Sequence, residues 1–468
     1  MSRINSNIAS LQAIHTLNKN QTDLSTRLQR LSTGLKINSG KDAPAGLIAS
    51  ETLRSEIGGI HQAIDNSQRA GNVINTAEGA LSEVSALLLE VQGLTNEAAN
   101  TGALSPEEIK ANQLQVDAIL NSVNRISNTT QFNGVKLLNG ELDYTTSNVD
   151  STALANLQIN AAKLPENGTV NVIVQVTGSA QLGEVDFAAS GIASSPVTIE
   201  IAGNGGTEQL SFAGSTHNSA IVVAVNQLKE ATGVSAALSG GALRLTSTAY
   251  GSKQFVSVTT LSGSFANGKD YGQDAQVNIN GAKAEVDGLT ASVRSDNLDI
   301  KLDLTGTFGT TVSGAGTSFA VTGGGAKFQL GSQVNRQGQV NVGVGSVATT
   351  HLGNGVDGFL SSLQSGGTNS LVSGNTIAAQ RIITAAIRQV ADIRGRLGAF
   401  QKDILETNTN SLSVALENVT ASESAIRDAD FASETAALTR AQILVQANTS
   451  VLSQANSSPQ SVLSLLGR

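Results

Sequence analysis

The residue types that most often carry catalysis or bind metals are sparse and scattered in this sequence. The four histidines, His15, His61, His217 and His351, lie far apart, and none stands in the H-E-x-x-H spacing of a zinc protease. The chain contains no cysteine, so neither a disulfide nor a thiolate metal site can form. The sequence therefore predicts no enzyme, no metal and no cofactor, and His15 and His61 are interpreted as packed or solvated helix residues.

One stretch matches a phosphate-binding pattern. Residues 263–269 have the G-x-x-x-x-G-K spacing of a P-loop. Asp270 follows at the position where Ser or Thr would hold Mg²⁺, and an acid there would repel phosphate. The next segment, 276–281, has the pattern of a strand and not of the helix whose N-terminus receives phosphate. We interpret residues 263–269 as a turn.

Charge and hydropathy exclude two further kinds of partner. The net charge is −8, whereas binding to a nucleic acid backbone needs a concentrated basic face. No stretch approaches the roughly 18–20 apolar residues of a membrane span. The first seven residues are polar, with no apolar segment of a secretory leader after them. We expect no nucleic acid partner and no membrane insertion, with the chain either cytoplasmic or exported without a cleaved leader.

The elements that would position any functional surface begin with a helical region at 1–130. Leu17, Leu24 and Leu31 recur every seven residues, and Leu28 and Leu35 complete an apolar stripe typical of helix pairing. The first helix is predicted to break at 38–40, a second to cover about 45–100, and a third to begin with a capping box at 105–108. An Asn-Gly pair within 131–138 predicts a β-hairpin.

A second helical region is predicted at 376–468. No proline occurs between 376 and 458, and Leu438, Val445 and Leu452 repeat every seven residues. A second apolar stripe is predicted upstream, at Ile393, Leu397, Phe400 and Ile404. If mostly continuous, about 80 residues at ~1.5 Å each would extend about 120 Å. Such a helix needs partner helices, and the N-terminal ones are the obvious candidates.

Between these regions, residues 145–375 change in character. Apolar and polar residues alternate at 170–177 and again at 298–304, between Gly-rich turns, which predicts antiparallel strands. One helix is predicted at 219–231. The fold class that follows is a multidomain α+β protein. Both termini form a long helical coiled-coil and rod core, and the β-rich middle is an outer insertion of one or two domains.

The terminal stripes suggest self-assembly. An isolated helical hairpin of this composition buries little area and is marginal on its own. We therefore hypothesise that residues 1–40 and 430–468 are disordered in the monomer and fold on assembly. The residues chosen as the self-assembly seam are Leu17, Leu24, Leu31, Leu438, Val445 and Leu452.

Both ends resemble the bacterial flagellin family. The matching residues cover about 1–140 and 385–468. They lie at 28–42, 76–81, 130–135, 425–430, 442–444 and 454–463, and residues 323–331 also resemble a return into the shared core.

The resemblance implies an architecture. Residues 1–43 and 428–468 would form the two parts of an inner coiled-coil domain. Residues 44–175 would form the N-terminal part of a helical rod with a β-hairpin, and 328–427 its C-terminal part. Residues 176–327 would form the β-rich variable outer domain or domains.

The resemblance also implies a function and partners. The chain would be the structural subunit of a helical flagellar filament used for swimming, exported by the flagellar type III apparatus to the cell exterior. Implied partners are copies of itself, an export chaperone, the filament cap and the hook-junction proteins. Two alternatives are a hook–filament junction protein and a filament whose outer domain acts as an adhesin.

One stretch departs from the family. Flagellins that stimulate the Toll-like flagellin receptor resemble each other around an Arg-containing helix. Here that helix contains Leu88, Glu90 and Leu94, with Glu90 at the position of the arginine. Gly93 also weakens the helix, by about 1 kcal/mol relative to Ala. We predict weak receptor activation, and neutral drift on a face buried in the filament explains the change as well as selected evasion does.

Overall fold

The structure is a computed structural model that describes residues 6–165, 168–187, 195–295, 297–312, 314, 316–355 and 357–466. The chain divides into two compact units. The terminal unit comprises residues 1–67, 330–338 and 406–468, and the central unit comprises residues 68–329 and 339–405. The five-part domain division expected from the sequence stays a prediction.

Long helices occupy both ends of the chain, and shorter ones lie among the strands. They are α1 (Ile8–Thr33), α2 (Pro44–Ala98), α3 (Pro106–Thr129), α4 (Asn218–Gln227), α5 (Lys229–Thr232), α6 (Gly306–Gly309), α7 (Thr376–Ala399), α8 (Thr407–Arg427) and α9 (Phe431–Leu466). Two 3₁₀ turns lie at Leu360–Leu363 and Leu371–Ser373, and a π-helical segment covers Phe400–Glu406. Long terminal helices around a β-rich middle confirm the predicted fold class.

The strands lie between these helical regions. They are β1 (Gln131–Phe132), β2 (Val135–Lys136), β3 (Tyr144–Ser147), β4 (Leu154–Ala162), β5 (Val170–Gly178), β6 (Glu184–Phe187), β7 (Val197–Gly203), β8 (Thr207–Phe212), β9 (Val234–Ser239), β10 (Ala242–Ser247), β11 (Phe255–Ser262), β12 (Gly268–Tyr271), β13 (Gln276–Ile279), β14 (Ala282–Lys283), β15 (Glu285–Asp287), β16 (Thr290–Arg294), β17 (Leu298–Leu304), β18 (Thr317–Gly324), β19 (Ala326–Gln329), β20 (Gln339–Val342), β21 (Gly353–Asn354) and β22 (Gly358–Phe359). The pairings between them are antiparallel, as the alternation predicted.

The central unit contains two β cores. The first β core gathers apolar side chains from a sheet ordered β14-β13-β5-β18-β3 and a sheet ordered β15-β16-β17-β4. The second β core gathers them from sheets ordered β6-β10-β9 and β12-β11-β7-β8, with Ile221 and Val225 contributed by α4. Burial alternates strictly along β7 and β17, so each strand gives one face to its core.

A short neck of backbone joins the two β cores. The chain crosses between β5 and β6 and returns between β12 and β13, where Gln181 and Gln273 form an antiparallel bridge. The carboxylate of Asp274 accepts hydrogen bonds from the backbone N–H groups of Ser252 (2.9 Å) and Gly288 (2.8 Å) and from the Ser252 hydroxyl (2.5 Å). Burial alone would raise the pKa of Asp274, but these bonds outweigh it and lower that pKa.

Local sequence signals place most element boundaries correctly. The exception is α1, which ends at Thr33 and not at the break predicted at 38–40. Its C-cap is Gly34, which adopts φ 72° and whose N–H donates to the Arg30 carbonyl at 2.8 Å. Helix α3 begins with the predicted capping box between Ser105 and Glu108. The predicted hairpin is β1–β2, with positive φ at Asn133 and Gly134. Of the predicted turn at 263–269, residues 263–267 connect β11 to β12, and residues 268 and 269 already belong to β12.

Further predictions need correction, namely those for the helix at 219–231, for the C-terminal helix and for the apolar stripe at 393–404. The helix predicted at 219–231 is split at Leu228 into α4 and α5. The C-terminal helix is interrupted at the π-helical segment and again between α8 and α9. The apolar stripe was right at Ile393, Leu397 and Phe400 and wrong at Ile404. The wide π turn adds a residue to the period, so Leu405 is buried and Ile404 is 39% exposed.

Candidate assembly interface of the terminal helices

Helices α1 and α9 pack against each other in antiparallel orientation. Near the start of α1, the Asn7 side-chain amide donates to the Ala455 carbonyl at 2.8 Å, and the Ser10 hydroxyl donates to the Asn456 side chain at 2.7 Å. Asn7 also caps α1, because its side-chain oxygen accepts from the Ser10 N–H. Polar bonds thus hold this end of the pair.

The other end of the pair is held by backbone bonds. Leu35 and Asp428 form an antiparallel bridge. The Lys36 N–H donates to the Arg427 carbonyl at 2.7 Å, and the Ala429 N–H donates to the Gly34 carbonyl at 2.9 Å. The turn after α1 and the break before α9 are therefore joined directly, which fixes the register of the two helices.

That register bears on the predicted seam. It places Leu24 opposite Leu438 and Leu17 opposite Val445. All six predicted seam residues are half-buried, neither enclosed nor fully exposed: Leu17, Leu24, Leu31, Leu438, Val445 and Leu452. Their role in assembly stays a prediction, but they lie on the helices and at the exposure that a seam requires.

A charged cluster within the α1–α9 pair was not predicted. Glu434 is 8% exposed, and the Arg27 guanidinium donates to both of its carboxylate oxygens at 3.1 Å. Arg30 approaches the same carboxylate at 4.0 Å. Burial alone would lower the pKa of Arg27, but hydrogen bonds and charge from Glu434 and Asp23 raise it, so the guanidinium is charged at any ordinary pH. Glu434 is the one acidic residue of α9, but no spacing in the sequence relates it to Arg27 at the other end of the chain.

The pairing of α1 with α9 leaves other large apolar side chains uncovered on both helices, and we call these the outer stripe. Leu11 of α1 is 64% exposed and Ile443 of α9 is 61% exposed. The large apolar side chains that stay exposed on the two helices are Ile8, Leu11, Ile14, Leu28, Phe431, Ile443, Leu444 and Val451. Exposed apolar patches are typical of interaction sites, so this surface is the candidate interface.

The terminal unit has little core of its own. Among its described residues, the buried apolar ones are Ala13, Ile37, Ile60, Ala63, Leu330 and Ala441. Half of them are alanines, which contribute little apolar area each. The unit therefore buries few of the apolar side chains its helices carry.

The receptor-like segment lies on α2 in the central unit. Leu88 is fully buried and Leu94 is half-buried, whereas Glu90 is exposed. Leu88 packs into the unit, so Glu90 is the member of this predicted set that a binding partner would meet.

Two negative findings concern the part of the chain that the structure describes. No group of three or more His, Cys, Asp or Glu side chains within it could hold a metal ion. No helix within it is long and apolar enough to cross a membrane. The described residues thus combine a helical pair with an uncovered stripe and two independent β cores, which defines the class as a structural, filament-type subunit.

Family comparison gives the particular assignment. Residues 4–143 match the bacterial flagellin N-terminal helical region, and residues 380–466 match the bacterial flagellin C-terminal helical region. The chain is 32% identical to a flagellin of Salmonella rubislaw and 32% identical to the B-type flagellin of Pseudomonas aeruginosa, with 99% of both chains covered in each case. The polar flagellin B/D of Vibrio parahaemolyticus is 30% identical, also over 99% of both chains. The chain therefore belongs to the bacterial flagellin family and is a structural subunit of the flagellar filament.

Similarity to solved structures is weaker. The flagellar hook associated protein-3 of Legionella pneumophila has a TM-score of 0.31 at 15% identity, covering 80% of this chain and 97% of that chain. A score this low assigns no function.

Proposed function

We propose that the α1–α9 pair is the contact by which copies of this chain build a helical filament. The observation that carries this proposal is the apolar stripe that α1 and α9 leave exposed after they have paired. Removing such a stripe from water is worth about 25 cal/mol per Å² of apolar area, and copies of the same pair are the partner that a homopolymer supplies. The six seam residues would hold each pair together while the outer stripe meets neighbouring pairs.

The same observation supports folding on assembly. A helix pair with few buried side chains is marginal when alone, because it recovers little of the conformational entropy lost on ordering. We infer that residues 8–33 and 431–458 gain most of their stability from neighbouring copies.

Hydrogen exchange tests the proposal directly. Amides of α1 and α9 should exchange rapidly in soluble subunits and slowly in filaments grown from the same preparation. Amides of β7 and β17, which belong to the two β cores, are the internal control and should be protected in both samples. Equal protection of α1 and α9 in the two samples would contradict folding on assembly, and failure to grow filaments from seeds would contradict the assembly function.

Family membership supports a proposal for the partners and the location of the chain. We propose that the chain acts without catalysis, outside the cell, after export by the flagellar type III route. An export chaperone, a filament cap and hook-junction proteins would be its transient partners. The junction-protein alternative predicts a thin collar and not a long filament, and electron microscopy of protein regrown from depolymerised material distinguishes the two.

The proposal of weak activation of the Toll-like flagellin receptor depends on the charge of residue 90. Glu90 is exposed on α2, so it would present a carboxylate to a receptor surface that accepts an arginine in stimulating flagellins. We propose that purified monomer activates that receptor weakly and that Glu90→Arg increases the signal in reporter cells. Glu97→Arg, an exposed substitution later on the same helix, is the matched control. Strong signalling by the unmodified monomer would refute this.

A further inference from the structure

A cleft of the terminal unit has no role in the α1–α9 contact. It runs along the first turns of α2 and has a volume of about 710 Å³. We call it the α2 groove, and its lining residues are Leu47, Ile48, Glu51, Thr52, Ser55, Glu56, Ser332 and Gln333. Ile48 is 70% exposed at its wall, so an apolar side chain here meets water in the isolated subunit.

One wall of the groove is a loop that lies directly on α2. At Gly59 the loop comes so close that a Cβ atom would stand 2.6 Å from the Ser332 carbonyl oxygen. Asn408 of α8 donates to the Leu330 carbonyl at 3.0 Å and to the Ser67 hydroxyl at 3.3 Å. A glycine in the middle of a helix costs stability, and its use at this position is explained by the approach of the loop.

The loop is closed on itself and carries an exposed apolar residue at its tip. The N–H groups of Leu330 and Gly331 both donate to the Gly338 carbonyl, and the Gly338 N–H donates to the Asn335 side chain at 2.7 Å. Val334 lies between these fixed points and is 87% exposed. A loop that is fixed by hydrogen bonds and exposes a valine almost completely to water is a candidate contact site for another molecule.

The groove adjoins the surface that assembles. Glu51 forms a salt bridge with Arg427 at 3.1 Å, and the Arg427 carbonyl accepts the Lys36 N–H at the base of the α1–α9 pair. Its lining mixes apolar side chains with hydroxyls and carboxylates, which suits a folded protein surface and not a lipid. A helical polymer requires a heterologous contact, in which one face of a subunit meets a different face of the next.

We propose that a second copy of this chain covers the α2 groove and Val334, as an assembly contact additional to that of the terminal helices. This inference rests on the proposed filament function. The occupant is a second copy because the groove continues from the terminal pair, and because copies are the partner that a filament brings to every subunit.

The absence of cysteine allows a direct test. A Val334→Cys variant supplies the chain's one thiol, which is labelled with a maleimide dye in soluble subunits and in filaments grown from them. We expect labelling at least ten-fold slower in filaments. Leu238→Cys, on strand β9 of the second β core, is the control and should label at similar rates in both samples. Equal labelling of the Val334→Cys thiol in subunit and filament overturns the inference, whereas failure to form filaments overturns the proposed function instead.

Two adjacent glycines provide a second, independent readout. Gly58→Ala meets no atom within 4 Å, whereas Gly59→Ala would collide with the loop backbone. Both substitutions favour the helix equally, so a difference between them reports the loop. We expect Gly59→Ala to raise the critical concentration for filament growth several-fold above that of Gly58→Ala. Identical critical concentrations for the two variants would show that the loop does not contribute to assembly.

Discussion

The terminal unit and the central unit differ in how completely they bury their apolar residues. In the two β cores, valine, leucine and isoleucine alternate into closed interiors, and Val172, Ile199 and Leu245 are fully buried. In α1 and α9, leucine and isoleucine recur at helical spacing, yet many stay exposed after the helices have paired. The first pattern makes a self-sufficient domain, and the second makes a segment that is completed by other molecules.

The difference teaches that hydrophobic patterning identifies a buried face without stating what buries it. In β7 the inward face meets the second β core of the same chain. In α1 the seam meets α9, but the outer stripe of Ile8, Leu11 and Ile14 finds no cover among the described residues. Substitutions in the terminal unit should therefore affect filaments, and those in the central unit should affect folding of the subunit.

The largest effect is expected from Leu452→Asp. A carboxylate in the seam would be desolvated against α1 without a partner, a cost of several kcal/mol. We expect filaments to be lost while the circular dichroism and thermal unfolding of the β cores stay unchanged. Leu238→Asp places the same charge on an exposed position of β9 and should leave filaments intact. If the Leu452→Asp variant formed normal filaments, the assignment of Leu452 to the self-assembly seam would be wrong.

A smaller effect is expected at the buried charge cluster. Glu434→Gln leaves Arg27 and Arg30 close together without a carboxylate, and we expect a loss of about 2 kcal/mol, discounted for the partial exposure of the arginines. The critical concentration for assembly should rise about 30-fold. A double-mutant cycle with Arg27→Met, read from critical concentrations, should give a favourable coupling energy. Additive effects of the two substitutions would show that the pair does not act as a unit.

A substitution in the neck between the β cores should have the opposite outcome to Leu452→Asp, because it should change the stability of the subunit and not filament growth. Asp274→Ala leaves the N–H groups of Ser252 and Gly288 without their acceptor, which should lower the free energy of unfolding of the central unit by about 2 kcal/mol. Because this residue lies outside the terminal unit, the critical concentration for filament growth should be unaffected. A change in filament growth without a change in unfolding would break the division of roles drawn above.

Acid titration sharpens the same prediction. The pKa of Asp274 is lower in the folded chain than in the unfolded one, so its contribution is present above the unfolded value of about 3.9 and is lost as pH falls through the folded pKa. Asp274→Asn carries no titrating group. The stability difference between wild type and this variant should therefore shrink as pH falls below about 4, and a difference independent of pH would contradict it.

The smallest effect is expected at Gly93 of α2. A Cβ atom there meets nothing within 4 Å, and the residue is exposed. Gly93→Ala should raise the unfolding free energy of the central unit by up to about 1 kcal/mol, measured by urea denaturation, through helix propensity alone. Gly79→Ala, equally unobstructed on the same helix, should give a similar gain. A loss of stability at Gly93 would reveal a contact that its open surroundings do not show.

Much of the fold could be predicted because its determinants are local. The cap at Ser105, the turn at Asn133-Gly134 and the period-2 runs of β5 and β17 each depend on neighbouring residues only. The heptad leucines likewise predicted a helix at each end of the chain, and these are α1 and α9. The family resemblance then supplied the function that local patterns alone left open.

What escaped prediction depends on contacts distant in sequence. The Arg27–Glu434 pair joins residues from opposite ends of the chain, and no spacing rule relates them. The same holds for the approach of Ser332 to Gly59, which reads in the sequence as an unexplained glycine in a helix. Leu228, where α4 and α5 separate, is neither glycine nor proline, so no local signal in the sequence marks the split.

The π-helical segment at Phe400–Glu406 has a consequence for how this chain tolerates change in length. An extra residue in an α-helix rotates every later side chain by about 100° about the helix axis. A π turn accommodates the extra residue locally, so the later side chains keep their direction. Deletion of a residue inside this segment could therefore be absorbed by a return to the narrower α-helical turn. Loss of a residue from the middle of α7 would instead turn the later buried residues, Val390, Ile393 and Leu397, out of register with the earlier ones, Ile382 and Ala386.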